Sequence, residues 1–543
     1  MKQITAAAIG LASLLWLSAC SAAPSPSDPA SNLNVATVSG AVEGVKLATG
    51  VRAWFGVPFA APPVGDLRWK APQLVKAWDG VRHTDQFAPD CMQPLRVRNT
   101  NHWYGAQTIS EDCLYLNVWA PAEPPKEGET YPVVVWIFGG GFNIGSANTP
   151  LYGGEQLAAK GVVYVGVAYR VGALGFLAHP ELTAESGVDA SGNYGLMDQI
   201  AGLQWVKNNI AAFGGDPSRV TIMGQSAGSA SVAYLQQSPL AKGLVHGVVG
   251  MSGAPFGVLS PGDLKAGEAD GLRLQTALKA TNLAAMRDVP PDRVLQAQSG
   301  SRPIIDGHVL TASSDQVFAA KQQYDVPVLI GFTSDEGFAA IGGAKILNDY
   351  RSALAVAYGA DAGKIEALYP AKNDAEVAAA ARSLARDSTL GLQMNSWARN
   401  QAANGTAPSY AFYFSRAHSY LPGVTFPDLD PATAGAYHTA DVPFWLVTLE
   451  ALNSQRPTRA WTDDDRAMAE RMSNHIVNFA RTGNPNATGD SAWPKYAPDT
   501  ERVMSFGASA QVIDWPNRDR LQVLRATPPR PPAPATASAR PRD

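Results

Sequence analysis

Apolar positions along this chain follow two rhythms. Val133-Val134-Val135-Trp136-Ile137-Phe138 and Val162-Val163-Tyr164-Val165-Gly166-Val167 are short, nearly unbroken apolar runs rich in β-branched residues. Runs of this length are expected of strands buried on both faces of a sheet. Residues 220–223 and 326–332 read the same way. Between them, Leu196, Ile200, Leu203, Val206 and Ile210 recur at helical spacing, and the pattern stops at Gly214-Gly215-Asp216-Pro217. Glycine followed closely by proline is a helix-ending signal. Strand, helix and strand in this order predict a largely parallel sheet with helices on both faces. No internal repeat and no second linker interrupts the pattern, so residues 33–525 read as one large α/β domain.

The two ends depart from this rhythm. Lys2 and the apolar residues 4–16 read as a secretory signal covering residues 1–20. It ends in Leu17-Ser18-Ala19-Cys20, which resembles the lipobox of bacterial lipoproteins, where the cysteine becomes the lipidated first residue. Ordinary cleavage near Ala22 or Ala23 is the alternative, made awkward by Pro24. Residues 21–32, rich in Ser, Pro and Ala, suit a flexible spacer. Residues 526–543, mostly Pro, Ala and Arg, read as a tail with little to bury. The expected location is therefore a membrane surface reached through acyl chains, the outer membrane if Ser21 directs sorting, or the exterior if Cys20 is discarded.

Composition narrows the function classes. The 543 residues are 46% hydrophobic and 17% charged with a net charge of -4, which excludes a mostly disordered chain. No basic block is present, so nucleic acid is not an expected partner. Three cysteines are too few for a cysteine-rich zinc cluster. With Cys20 lipidated, Cys91 and Cys113 remain in an oxidising setting that favours a disulfide, two free thiols being the alternative.

Two glycine-containing segments carry candidate chemistry. Gly224-Gln225-Ser226-Ala227-Gly228 follows the strand at 220–223 and precedes a stretch, 229–237, that can be helical. A tight turn at such a junction lifts a serine above the sheet and needs small neighbours. Gly139-Gly140-Gly141-Phe142 follows the strand ending at Phe138. Its backbone N–H groups at Gly140 and Gly141, with that of Ala227, could stabilise the oxygen of a tetrahedral intermediate. Taken alone, either segment also reads as an ordinary glycine turn.

In context they are more than turns. Phe213-Gly214-Gly215-Asp216-Pro217-Ser218-Arg219-Val220-Thr221-Ile222-Met223, running into the Ser226 motif, resembles the serine signature of the type-B carboxylesterases. Glu111-Asp112-Cys113-Leu114-Tyr115-Leu116-Asn117-Val118-Trp119 is similar to that family's second signature. The family includes cholinesterases and bacterial para-nitrobenzyl esterases, and the likeness extends over about residues 38–523. It implies the α/β-hydrolase fold: a mostly parallel central sheet flanked by helices, with large loop and helical insertions forming a gorge. It further implies hydrolysis of small to medium uncharged esters through an acyl-enzyme, with no metal and no cofactor, the partner being a small-molecule ester.

The resemblance also assigns residues. Ser226 is the nucleophile. Glu336, in Gly331-Phe332-Thr333-Ser334-Asp335-Glu336-Gly337, is the acid, with Asp335 a bystander. His438, in Gly435-Ala436-Tyr437-His438-Thr439-Ala440-Asp441, is the base in preference to His418 or His475. Cys91–Cys113 matches the family's loop disulfide, and Arg68 with Glu111 matches a structural ion pair. Some positions depart from the family. Phe138 stands where relatives carry His or Tyr, and Gln225 replaces a frequent glutamate. Trp103 lies ten residues before Cys113, where cholinesterases place a choline-stacking tryptophan, and is read here as a pocket wall. Trp103, Gln225 and Phe142 are thus the candidate substrate contacts. A specialised esterase for a polyester fragment, mycotoxin, phenolic or sugar ester, and an amidase, would use the same triad. A neuroligin-like binding protein would have lost part of it.

Overall fold

The computed structural model describes residues 33–257, 260–337, 343–487 and 492–530. The expected signal, Cys20 and spacer lie outside the described residues. The apolar runs pair as their composition requires, in one 11-stranded sheet. Its strands are β1 (Val45–Lys46), β2 (Arg52–Pro58), β3 (Tyr115–Ala120), β4 (Tyr131–Ile137), β5 (Val163–Val167), β6 (Gly215–Gln225), β7 (Gly247–Met251), β8 (Val328–Thr333), β9 (Ser409–Phe414), β10 (Arg502–Phe506) and β11 (Ala510–Asp514). The spatial order is β11-β10-β9-β8-β7-β6-β4-β5-β3-β2-β1. From β5 across to β10 neighbouring strands run parallel. The hairpins at both edges are antiparallel. Every residue of β5, β7 and β8 is buried, as strands covered on both faces should be.

Helices supply the cover. They include α1 (Tyr194–Asn209), α2 (Ala227–Leu235), α3 (Leu264–Leu278), α4 (Leu347–Tyr358), α5 (Asp374–Arg386), α6 (Leu392–Asn404), α7 (Asp463–Thr482) and α8 (Arg518–Ala526). The helical rhythm beginning at Leu196 becomes α1 and then a 3-10 turn at Ile210–Phe213, ended by Gly214 at φ 90°. Leu196, Leu203, Val206 and Ile210 face the core. Helix α7 is bounded by its own sequence. Thr462 and Asp465 form a capping box at its start, and Gly483 closes it in the left-handed conformation. Helices α3 to α6 lie between β7 and β9 in the chain, in two insertions that β8 separates.

The packed chain continues past the boundary expected at residue 525. Helix α8 ends at Ala526, Thr527 is buried, and the Arg530 N–H donates to the Ala357 carbonyl at 2.7 Å. Cys91 and Cys113 are joined by a disulfide. Arg68 makes a paired contact with Glu111 and also donates to the carbonyls of Arg287 and Val289, so this ion pair ties three segments together.

All the candidate groups gather at one end of the sheet. Gly139 follows β4, Ser226 follows β6, Glu336 follows β8, and His438 lies in the connection after β9. These are the carboxyl ends of parallel strands, where open α/β sheets leave a crevice for ligands.

Candidate active site

Ser226 sits in a backbone conformation that only a constrained turn would hold, with φ 59° and ψ -126°. A non-glycine residue held in such a region costs on the order of 1–3 kcal/mol. The surroundings fix it. The Ser226 N–H donates to the Met251 carbonyl at 2.8 Å, and the Ser226 carbonyl accepts from Ala230 at 3.0 Å. A Cβ at Gly228 would come within 2.1 Å of the Ile137 carbonyl oxygen, and one at Gly224 within 2.4 Å of Gly228. The flanking glycines are therefore required by contact, and the turn presents Ser226 at the start of α2.

His438 links Ser226 to Glu336. Its Nε2 lies 2.8 Å from Ser226 Oγ and its Nδ1 lies 2.6 Å from Glu336 Oε2. An ionised carboxylate can only accept, so Nδ1 carries the proton and Nε2 is free to accept from the serine hydroxyl. The other Glu336 oxygen accepts the Thr333 N–H at 2.8 Å, and the side chain is fully buried. Asp335 points elsewhere. It accepts from the Ser334 hydroxyl at 2.5 Å and from the Ala436 N–H at 2.9 Å, holding the histidine loop rather than the imidazole.

The other two candidate histidines have structural surroundings. His418 Nε2 lies 2.8 Å from the Ala440 carbonyl, and burial, then the nearby Arg459, push its pKa down to about 3. His475, on α7, has Nδ1 2.8 Å from the Pro485 carbonyl, and its ring meets Trp493 edge-on. Two further residues near the histidine loop carried no signal in the sequence. His102 Nε2 lies 2.7 Å from Oγ1 of Thr439, next to His438 in the chain, and burial with Arg96 and Arg459 lowers its pKa to about 3. Asp441 is fully buried with one oxygen on Trp445 Nε1 at 3.2 Å. Burial, then the charge of Glu336, pushes its carboxyl up to about 8.

The glycine loop packs directly against the serine turn. A Cβ at Gly139 would lie 3.0 Å from Ser226 Cβ and 2.5 Å from the Gln225 carbonyl oxygen. The Gly140 carbonyl accepts the N–H groups of Asn143 and Ile144, both at 3.1 Å. In a trans peptide the N–H points opposite to the carbonyl, so this pair of bonds aims the Gly141 N–H away from the loop's interior. Gly141 is exposed. Ala227 opens α2, where the helix dipole also favours negative charge.

The three expected substrate contacts fall in different settings. Gln225 is buried and its Nε2 donates to the His438 carbonyl at 2.6 Å. Phe142 is buried edge-on against Phe176, with centroids 5.3 Å apart, and has a positive φ of 64°. Trp103 is half-buried, and the Arg98 guanidinium lies 5.6 Å from its ring centroid. Phe138, the departure before the glycines, stacks on Tyr169 at 4.1 Å, and the Tyr169 hydroxyl donates to the Phe138 carbonyl at 2.7 Å.

Comparison with known proteins identifies the family and the fold. A family model described as the carboxylesterase family matches residues 27–524. The chain is 38% identical over 522 residues to the fumonisin B1 esterase of Sphingopyxis macrogoltabida, covering 93% of this chain and 91% of that protein. It is 31% identical to the para-nitrobenzyl esterase of Bacillus subtilis (strain 168), covering 90% and 98%. A solved structure of a PNB esterase superposes with a TM-score of 0.77 at 30% identity, covering 90% of this chain and 98% of the other. The chain belongs to the carboxylesterase family, has the α/β-hydrolase fold, and is a carboxylic ester hydrolase.

Proposed function

We propose that the chain cleaves small to medium uncharged esters through a Ser226-Glu336-His438 triad and an acyl-enzyme. The observation that carries this is the unbroken line from Glu336 through His438 to Ser226 at 2.6 and 2.8 Å, directly beside the glycine loop. His438 Nε2 takes the Ser226 proton as Oγ attacks the ester carbonyl, and Glu336 stabilises the imidazolium. The Gly140, Gly141 and Ala227 N–H groups hold the oxyanion of the tetrahedral intermediate. His438 returns its proton to the departing alkoxide, leaving an acylated Ser226. Water, deprotonated by the same imidazole, adds to the acyl carbonyl. Collapse of that second intermediate releases the acid and restores the serine.

Two observations support an uncharged substrate. Gln225 places a neutral amide where many relatives carry a carboxylate, and the Trp103 ring already has Arg98 against it. A quaternary ammonium would meet a cation at that ring instead of a free aromatic face. The likeness to a fumonisin B1 esterase favours a second reading, a specialised esterase acting on a mycotoxin ester. The amino-terminal pattern supports export with lipidation at Cys20, so that residues 21–32 tether the catalytic domain to a membrane surface.

Protein lacking residues 1–20 is to be assayed on para-nitrophenyl acetate, butyrate and octanoate, and on fumonisin B1, beside Ser226→Ala and His438→Ala. The reading requires a loss of roughly 10⁴-fold in each variant with folding intact. Retained turnover in Ser226→Ala would exclude it. Fumonisin B1 turnover well above that of the para-nitrophenyl esters would select the specialised reading. Lipidation is tested on the full chain by labelled palmitate incorporation, which Cys20→Ser must abolish.

A further inference from the structure

The oxyanion loop is short, strained and glycine-rich, so something outside it must hold its shape. Gly140, Gly141 and Phe142 all have positive φ, at 127°, 61° and 64°. Phe142 is not a glycine and is disfavoured there. One residue addresses this segment from its far side. Asn143 Nδ2 donates to the Gly141 carbonyl at 2.6 Å and to the Ser301 carbonyl at 3.1 Å, while Asn143 Oδ1 accepts the Ser301 N–H at 2.9 Å. Both donors and the acceptor of this amide are thus engaged. The backbone N–H of the same residue donates to the Gly140 carbonyl.

We infer that Asn143 is a positioning residue of the oxyanion hole, clamping the Gly140–Gly141 and Gly141–Phe142 peptides to the backbone at Ser301; this rests on the triad and oxyanion reading above. Its N–H fixes the carbonyl of Gly140 and hence the direction of the Gly141 N–H. Its side chain fixes the next carbonyl and anchors both to a segment 158 residues away in the chain. Without that anchor the left-handed backbone at Phe142 can relax toward an ordinary conformation and turn the donors away. An oxyanion hole works because its donors are already aimed before charge develops, so loosening it lowers the rate of chemistry rather than substrate binding.

Two variants separate this role from simple loop stability. Asn143→Ala removes all three side-chain bonds. Asn143→Asp is nearly isosteric and keeps the acceptor for the Ser301 N–H, but sets a carboxylate oxygen against the Gly141 and Ser301 carbonyls. The expected result is a fall in kcat of roughly tenfold to a hundredfold for Asn143→Ala, with KM changed by less than about threefold. Affinity for an aryl trifluoromethyl ketone, whose adduct with Ser226 places an oxyanion in the hole, should fall in parallel. Asn143→Asp should be slower still, because its carboxylate repels the Gly141 carbonyl that the amide had held. A structural role alone lowers the melting temperature of both variants while leaving the kcat per active site and the ketone affinity of the folded enzyme near wild type. That result, in either variant, overturns the inference. Should the alanine variant not fold, Asn143→Asp decides it by the same two readouts. A wild-type enzyme not inhibited by the ketone at all would instead refute the oxyanion reading itself.

Discussion

Gln225 and His438 are bound to each other: the side-chain amide of the residue before Ser226 donates to the backbone carbonyl of His438 at 2.6 Å. The neutral amide therefore does a job that an ionised carboxylate cannot do, since a carboxylate has no proton to give. Gln225→Glu should lose this bond and place negative charge beside the imidazole. Negative charge favours the imidazolium, so the base would stay protonated to higher pH. The acidic limb of the kcat/KM profile on para-nitrophenyl butyrate is expected to move upward by about one pH unit, with lower activity at pH 6. A limb that stays in place with full activity would show that position 225 does not influence the base.

Glu336 and Asp335 are adjacent carboxylates with separate tasks, and substitution should part them. Glu336→Gln keeps the shape but removes the charge that stabilises the imidazolium and can leave the histidine in the wrong tautomer. Its kcat should fall by roughly 10³–10⁴ with little change in folding. Asp335→Asn still offers an oxygen to the Ala436 N–H and should remain within about tenfold of wild type. Comparable losses in both variants would mean that Asp335 also shapes the imidazole.

Legibility in the sequence followed the range of each interaction. The run at 133–138 announced β4 because burial on both faces leaves its mark on every strand residue from Val133 to Ile137. The serine turn was equally readable, since glycines at 224 and 228 are demanded by contacts made within that same turn and with the neighbouring β4. What stayed hidden joins distant residues through single side chains. His102 reaches Thr439 across 337 positions, and Asn143 reaches Ser301 across 158. Neither tie has a periodicity or a local composition to reveal it. Gln225 could be named as unusual from sequence, but its inward orientation follows from where the histidine loop lies, which only the fold determines.

Arg68 and Glu111 form a nearly buried pair whose other hydrogen bonds go to backbone carbonyls rather than to Ser226, Glu336 or His438, so their variants should change stability and leave turnover alone. Glu111→Ala leaves the guanidinium buried against the carbonyls of Arg287 and Val289 without its counter-charge. The expected cost is about 3 kcal/mol, read as a lower urea midpoint. Adding Arg68→Met to that variant should recover part of the loss, because an uncharged side chain no longer needs a partner. The kcat per titrated Ser226 should match wild type in both. A reduced kcat at full occupancy would place this pair in contact with the catalytic machinery after all.

Asp441 lies three residues after His438, fully buried, and its carboxyl is held up at about 8 by burial and by the neighbouring Glu336. An aspartate in the unfolded chain titrates near 3.9. Between roughly pH 4 and pH 8 the folded protein therefore keeps a proton that the unfolded chain has released. Stability contributed by this group is fully present at low pH, declines as pH rises through that window, and levels off above about pH 8. Asp441→Asn retains an oxygen for Trp445 Nε1 but has nothing to titrate. Its melting temperature, measured against wild type, should accordingly improve steadily from pH 5 to pH 8.5, whatever the offset at the acidic end. The same ionisation would set a second carboxylate beside Glu336 and favour the imidazolium of His438, so the variant should also hold its kcat better than wild type above pH 8. A melting-temperature difference that stays flat across the window would mean that Asp441 is ionised in the folded protein. The buried carboxyl would then hold no proton across this range.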